Sequence, residues 1–357
     1  MYRILFLIKS IYKILTDRTL NDAESYYPEI SRRKPKSRII KEQIKHLIKY
    51  HSINEFYFIY GFDRVGFREE DSYVDYETFR KRRNILNNKS PYSPICILRN
   101  KFLFGLLADE LGINTAKIVG VTQKEKIYIL KEKRTIDFLE YINKTNLNVY
   151  FKSIDGECAD GVFHLTTKDS KIYLNDKQVI YSDFKELLLS SSYILQEPVK
   201  QCAVLSNLHS NSVNTLRIET VLNNSSIDIL PPLLRIGTSN KNVDNWAVGG
   251  LVVQINVEKN CLCEYGFYKP SFGTKVDEHP DSKIRFDGYN MPYLKEAIEL
   301  VKKFHSFLPQ IHSIGWDVAI TEDGPCIIEG NDNWELSLVQ SCSHGLKEEF
   351  EALFKKI

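Results

Sequence analysis

Three oxygen-bearing side chains near the carboxyl end carry the clearest chemical signal in this sequence. In SIGWDVAITEDGPCIIEGNDNWE, residues 313–335, two strand-like runs, GWDVAI and PCIIEGN, flank the polar turn Thr321-Glu322-Asp323-Gly324. A three-residue loop with Gly324 in the left-handed conformation sets Thr321 opposite Pro325 and Asp317 opposite Glu329. The period of two then adds Asn331 to the same face. A two-residue loop that opposes Asp317 to Gly330 would send the acids to different faces, so the chemistry rests on the register. Two carboxylates and an amide oxygen that converge suit a hard cation. Mg²⁺ uses one or two carboxylates and leaves room for water and phosphate oxygens. A hairpin whose acids only solvate its surface has the same sequence, so the choice between the two depends on what lies upstream.

Several upstream cations stand where an anionic ligand could be met. Lys101 occupies the first turn of RNKFLFGLLADEL, a helical pattern over residues 99–111 closed by Gly112. A cation there opposes the helix dipole unless it reaches out to an anion or to solvent. In NVYFKSIDGECADGVFHL, a strand–loop–strand pattern, Tyr150 and Lys152 face away from Val149 and Phe151. Gly156 and Gly161 free the loop to fold over phosphates while Lys152 adds a point charge. YILQEPV is a short strand ending at Pro198, where backbone groups of Gln196, Glu197 and Val199 could read an adenine edge or serve as a plain linker.

SVNTLRIETVL and IDILPPLLRIG predict a hairpin with Thr215, Arg217 and Glu219 on one face. Arg217 lies between Leu216 and Ile218, so its guanidinium needs a partner, either a structural carboxylate or a phosphate; Arg235 has the same character. Asp244, Asn245 and Trp246 form a polar loop before Gly249-Gly250 that could face an acceptor substrate or simply stabilise a turn.

The elements that position these residues follow from periodicity. Residues up to about 90 are charged and predicted helical, with Ile44, Leu47, Ile48 and Tyr57 as apolar positions. Helices are also expected at 135–143, at 183–190 capped by Ser182, from Pro292 with Leu294, Ala297, Ile298, Val301 and Phe304 inward, and after about Ser337. His305 and His312 are expected to pack. The opening MYRILFLIKSIYKIL is too short to span a bilayer. It is expected to be an amphipathic helix docked on the body, with membrane-surface contact through Arg3, Lys9 and Lys13 as the other reading.

With 357 residues and 43% hydrophobic content, the chain can build two or three lobes without staples. A net charge of +2 gives no electrostatic reason to expect nucleic acid. The four-residue run Arg80-Lys81-Arg82-Arg83 could meet an anionic polymer or lipid, but a solvated helix face is the commoner origin of such a run. Seven scattered cysteines without zinc spacing point to reduced thiols and a cytoplasmic setting, peripheral to the inner membrane face if the first helix touches lipid.

The order Lys101, Lys152 with its loop, QEPV, Arg217, Asp317, Glu329, Asn331 resembles the ATP-grasp superfamily. SVNTLRI, VDNWAVGG, HPDSKIRFDG and IGWDVAITEDGPCIIEGN resemble its sugar-transfer-associated branch, found beside polysaccharide biosynthesis genes. The likeness runs from about Asn100 to Asn331. It implies an α+β fold in which two lobes clasp ATP, preceded by a mainly helical region: 1–90, then a small lobe at 91–197 and a large lobe at 198–357.

It also implies roles for individual residues. Lys101 and Lys152 would touch phosphates under a Gly156–Gly161 lid, and Gln196, Glu197 and Val199 would form the adenine hinge. Arg217, with Arg235, would steady the transferred phosphoryl group, and Asp317, Glu329 and Asn331 would hold Mg²⁺ or Mn²⁺. Asp244, Asn245, Trp246 and Asn333 would meet the substrate. Departures are Asn100 in place of an acid, Cys202 in place of a His, and the tail Asp332-Asn333-Trp334. The implied activity is an ATP-dependent carboxylate–amine ligation through an acylphosphate. Its expected partners are an amino acid or other amine and a sugar carboxylate, free, nucleotide-linked, lipid-linked or polymeric, such as a uronate of a capsule or O-antigen. Phosphotransfer on the same fold, or nucleotide or glycan binding without turnover, are the alternatives.

Overall fold

The computed structural model describes residues 2–88, 94–155 and 161–355. Its amino-terminal part holds helices α1 (Tyr2–Thr16), α2 (Arg18–Asn21), α3 (Lys36–Tyr50) and α4 (Tyr76–Asn87). The continuous helical character expected before residue 90 is not found: residues 51–69 run as turns. The reason is visible in the side chains. Tyr57, Phe58, Ile59, Tyr60 and Phe62 are all buried, and one helix face cannot bury four consecutive residues. Ile48, expected on an apolar face, is exposed.

Two short helices follow, α5 (Ile95–Arg99) and α6 (Lys101–Glu110), where a single helix was expected. Asn100 breaks the run. It sits in extended conformation and its side-chain oxygen accepts from the N–H groups of Phe102 and Leu103, so it caps α6 and leaves Lys101 as that helix's first residue.

The first sheet comprises β1 (Ile118–Gln123), β2 (Lys126–Ile129), β3 (Arg134–Asp137), β4 (Asn148–Ser153), β5 (Val162–Lys168), β6 (Lys171–Leu174), β7 (Lys177–Val179) and β8 (Tyr193–Gln196), in the order β3-β2-β1-β8-β4-β5-β6-β7. Helices α7 (Phe138–Lys144) and α8 (Tyr181–Ser190) cover one face, burying Phe138, Phe151, Phe184 and Leu188. Residues 135–137, expected to start a helix, belong to β3 instead, and Asp137 caps α7. Ser182 does not cap α8, which starts one residue earlier with Ile180 before it.

After α9 (Ala203–Leu208) comes the second sheet. Its strands are β9 (Thr215–Asn223), β10 (Ser226–Ile229), β11 (Leu233–Ile236), β12 (Leu251–Asn256), β13 (Cys261–Tyr268), β14 (Lys275–Val276), β15 (Ser313–Thr321) and β16 (Gly324–Asn331). The order is β14-β13-β12-β11-β9-β15-β16, with β10 paired to β9. Alternation divides its faces. Leu216, Ile218, Leu251, Val253, Trp316 and Val318 pack under α6, α9 and α10 (Leu294–Ser306), whose inward residues Leu294, Ala297, Val301 and Phe304 are those expected.

The opposite face, through Val221, Leu233, Val252 and Phe267, packs with the aromatic 57–62 segment, α4, α11 (Leu336–Cys342) and α12 (Lys347–Leu353). The amino-terminal region therefore shares a core with the second sheet. Arg83 ties them together from α4. Fully buried, it donates to the Trp334 carbonyl and to Asn333 Oδ1, so this member of the basic run is no solvated charge. Replacing Arg83 with Ala should leave those acceptors unpaired and open a cavity, lowering stability by about 2–4 kcal/mol, read as a shift of the urea midpoint.

Candidate active site

One polar row crosses the second sheet. Leu233 faces Arg217, Asp317 faces Arg217 from the other side, and Glu329 faces Asp317, while Arg235 faces Thr215 one step along β9. Side chains in register on adjacent strands share a face. Arg217, Asp317 and Glu329 therefore lie side by side across β9, β15 and β16, and Arg235 of β11 stands diagonally beside them on the same face, two residues off the register.

The β15–β16 register arises differently from the expected way. The loop has two residues, Glu322 and Asp323, because Thr321 pairs with Gly324; Ile320 then faces Pro325 and Val318 faces Ile327. Continued unbroken, that register would oppose Asp317 to Ile328. An irregularity at Asp317/Val318 leaves Ile328 as the extra residue and brings Asp317 opposite Glu329. A bulge achieves what a longer loop was expected to do. Gly324 does have a positive φ, 114°.

Charges in this row are buried and paired. Arg217 Nη1 lies 2.7 Å from Asp317 Oδ1 and its Nε 3.0 Å from Glu219 Oε1. Arg235 Nη2 lies 3.0 Å from Asp317 Oδ2, and its Nε lies 3.4 Å from Asp244 Oδ2. Asn331 donates Nδ2 to Glu329 Oε1 at 3.1 Å and to Asp317 Oδ2 at 3.5 Å.

The protonation preferences follow. Burial would raise the Asp317 pKa, but Arg235 and Arg217 outweigh it and hold the carboxyl below its ordinary range. Burial and the neighbouring Asp317 push Glu329 up, and burial likewise pushes up Glu219 and Asp244. Burial would weaken the Arg217 charge, yet Asp317 and Glu219 raise its pKa above the usual value.

The site suits a divalent cation. Carboxylates outnumber the guanidinium groups in this row, Glu219, Asp244, Asp317 and Glu329 against Arg217 and Arg235, and burial disfavours the charge on Glu219, Asp244 and Glu329, which a dication beside Glu329 would restore. Oxygen donors of this kind favour Mg²⁺ or Mn²⁺. A half-turn of the Asn331 amide would present its oxygen to the same point. Among the described residues no group of three His, Cys, Asp or Glu could hold a metal ion, this row included, so an ion here would rest on Asp317 and Glu329 with the Asn331 amide and on oxygens that the ligand and water bring.

A cavity of about 1170 Å³ joins this row to the first sheet and to the amino-terminal region. Lys101, Lys152, Gln196, Glu197 and Val199 line it from one side. Lys152 Nζ donates to Gln196 Oε1 at 2.7 Å, and Gln196 Nε2 holds the Ala116 carbonyl at 2.9 Å. Burial, partly offset by Glu329, pushes the Lys152 ammonium down to about 8. Gln196 thus contributes its side chain. Its backbone belongs to the strand between β1 and β4, and the Glu197 N–H is bonded to the Lys117 carbonyl, so that donor is not open to a ligand. Gly161 takes a φ of 66° and its carbonyl accepts from Ser153, whereas Gly156 lies outside the described residues.

The expected substrate loop is largely turned inward. Asp244 accepts from the Thr215 N–H and hydroxyl, Asn245 caps the turn at Ala247, and Trp246 is buried with its indole N–H on the Phe267 carbonyl. Asn333 accepts from Arg83. All four touch the cavity wall.

Sequence spacing missed the opposite wall. His46, Asp75, Tyr76 and Glu335 line it, drawn from separate segments with no shared motif. His46 lies 2.9 Å from Glu70 and 3.3 Å from Asp75. Burial raises the Glu335 carboxyl; Tyr76 bonds it, yet its Oε2 has no hydrogen-bond partner among the described residues.

Gly315 is what allows the row to pack. A Cβ there would stand 2.6 Å from Trp334 Cβ and 3.1 Å from Arg217 Nη2. Gly315→Ala should cost about 1–3 kcal/mol through overpacking, measurable as a lowered thermal midpoint.

The chain resembles several solved ligases at low identity. The D-alanine–D-alanine ligase of Helicobacter pylori is 14% identical with a TM-score of 0.40, over 73% of this chain and 61% of that one. The L-amino acid ligase of Bacillus licheniformis is 12% identical with a TM-score of 0.38, over 68% of this chain and 44% of that one. Phosphoribosylamine–glycine ligase of Thermotoga maritima is 13% identical with a TM-score of 0.37, over 68% and 49%. The chain thus spans less than two thirds of the length of these solved proteins. No curated protein matches it. Residues 80–354 match the family described as sugar-transfer associated ATP-grasp. That match takes in both sheets, Lys101, Lys152, Arg217 and the Asp317–Glu329–Asn331 group, so the chain belongs to the sugar-transfer-associated ATP-grasp family.

Proposed function

We propose that the protein is an ATP-dependent carboxylate–amine ligase, acting in the cytoplasm on a sugar carboxylate and an amine. The observation that carries this is the meeting, in one cavity, of Lys152 from the first sheet and Lys101 from the start of α6 with the Arg217–Asp317–Glu329 row of the second sheet. The first set is suited to phosphates and the second to a metal and a developing phosphoryl charge.

Asp317, Glu329 and Asn331 would hold the divalent ion, which when bound would neutralise the outer phosphates. Lys101 and Lys152 would hold phosphate oxygens, with Gln196 keeping Lys152 pointed at them. Val199 and the end of β8 would border the base. Arg217 and Arg235 would keep the Asp317 carboxylate ionised and oriented while their positive field stabilises the transferred group. A substrate carboxylate oxygen attacks the γ-phosphorus and ADP leaves; an amine then attacks the acyl carbon, and phosphate and a proton leave. The far end of the cavity, with Glu335, Tyr76, Asp244 and Asn333, would receive the acceptor. The family's association with sugar transfer supports joining an amino acid to a uronate of a capsular or O-antigen glycan.

Purified protein with ATP, Mg²⁺, uronates and amino acids should release ADP in step with amide. Asp317→Asn with Glu329→Gln should lower that release about a thousandfold and abolish Mn²⁺ binding followed by paramagnetic resonance. ADP release without amide would redirect the reading to phosphotransfer, and full turnover in the double variant would end it.

Lys152 adds a pH signature. Its ammonium is charged below about 8 and loses its proton above that value. Nucleotide binding favours the charged form, so ADP affinity should fall as pH rises from 7.5 to 9.5, by up to about tenfold per pH unit. Lys152→Arg, charged throughout, should flatten the profile; titration calorimetry in metal-free buffer reads it.

A further inference from the structure

The outer face of α1 is apolar although the inner face is already docked. Ser10 and Ile14 are buried, and Leu7 and Ile11 pack towards Leu20, Leu47, Ile40 and Ile44. Ile4, Ile8 and Tyr12 are 65%, 60% and 69% exposed, and Leu5 and Leu15 are exposed beside them. At helical spacing these five side chains fall within an arc of about 100°. Scattered exposed apolar residues are ordinary, but a contiguous stripe on a helix that does not need it for the core marks a docking face.

Charge indicates the occupant. Residues 2–18 carry Arg3, Lys9, Lys13 and Arg18 against the single acid Asp17, whose carboxylate is engaged by Thr19. Lys9 and Lys13 are exposed and follow the stripe directly around the helix; the Lys13–Glu55 pair is 3.7 Å long and open to solvent, which leaves the ammonium available to headgroups. An apolar stripe bordered by lysines matches the boundary between acyl chains and anionic headgroups. Stacked antiparallel on a second copy, the stripe would bring the two lysine rows to one shared edge, where like charges repel. Among the described residues no helix is long and apolar enough to cross a membrane, so contact would be in the interface plane.

We propose that α1 is an interfacial helix that seats the protein on an anionic membrane surface. Its inner edge also borders the cavity, through Phe6 and Ser10, so a ligand held at that surface would meet the cavity mouth beside the helix. This inference is independent of the reaction assigned to the cavity.

Flotation with extruded vesicles tests it. The full chain should float with phosphatidylcholine vesicles containing roughly one-third phosphatidylglycerol and remain behind with phosphatidylcholine alone. Leu5→Glu with Ile8→Glu should reduce the partition coefficient at least about tenfold, and Lys9→Gln with Lys13→Gln should weaken binding and its salt dependence. All four side chains are exposed, so thermal unfolding of both variants should match the parent chain. No flotation on anionic vesicles, equal flotation on both kinds, or parental flotation by the Leu5/Ile8 variant would overturn the proposal. So would ultracentrifugation showing a dimer that this variant converts to monomer.

Discussion

A buried guanidinium between two carboxylates is the constraint around which this protein is arranged. Arg217 cannot leave water unless Asp317 and Glu219 accompany it, and Asp317 in turn draws in Arg235. Isolated, any of these ions would be too costly to bury, and breaking a buried pair by removing one member costs about 3–5 kcal/mol. Their mutual neutralisation works only in register, because the partners sit on three adjacent strands. The β15–β16 bulge and the bare Cα of Gly315 are conditions for that register, as is the order in which the strands pair.

From this row the two lobes acquire distinct electrostatic roles. The second sheet presents an excess of carboxylates, the first presents Lys152, desolvated and held by Gln196, and α6, packed on the second sheet, presents Lys101 at its start. On the proposed reading, the oxygens of a polyphosphate would meet the ammonium groups and its divalent ion the carboxylates. The amino-terminal segments complete the enclosure. They pack on the face of the second sheet that carries the row, so the aromatic 57–62 turn, α4 and the Glu335 segment form the wall facing away from the first lobe.

Legibility varied with the range of the physics involved. Long periodic elements such as α10, and alternating strands such as β4, β9 and β15, were readable because a helix or strand records its buried face locally. Asn100 as a cap and residues 135–137 as a strand were misread. Both belong to short segments in which a neighbouring element decides between competing propensities: β3 exists because β2 pairs with it. The 51–69 stretch was read as helical from a charged, apolar mixture, yet consecutive aromatics buried on all sides allow no single face.

By itself the sequence determined that Glu329 and Asn331 share a face, that Arg217 must find a partner, and that Lys152 points away from Val149 and Phe151. Each of these follows from residue type and spacing within one strand or hairpin, whereas the bulge that brings Asp317 opposite Glu329 is not written in the spacing. Only the tertiary structure decided the rest: that Asp317 joins Arg235 as well as Arg217, that Asp244 and Trp246 turn inward, and that His46, Tyr76 and Glu335 share a cavity with residues far along the chain. Those outcomes depend on strand order and on the packing of separate segments, and no local periodicity encodes which distant surface a side chain will meet.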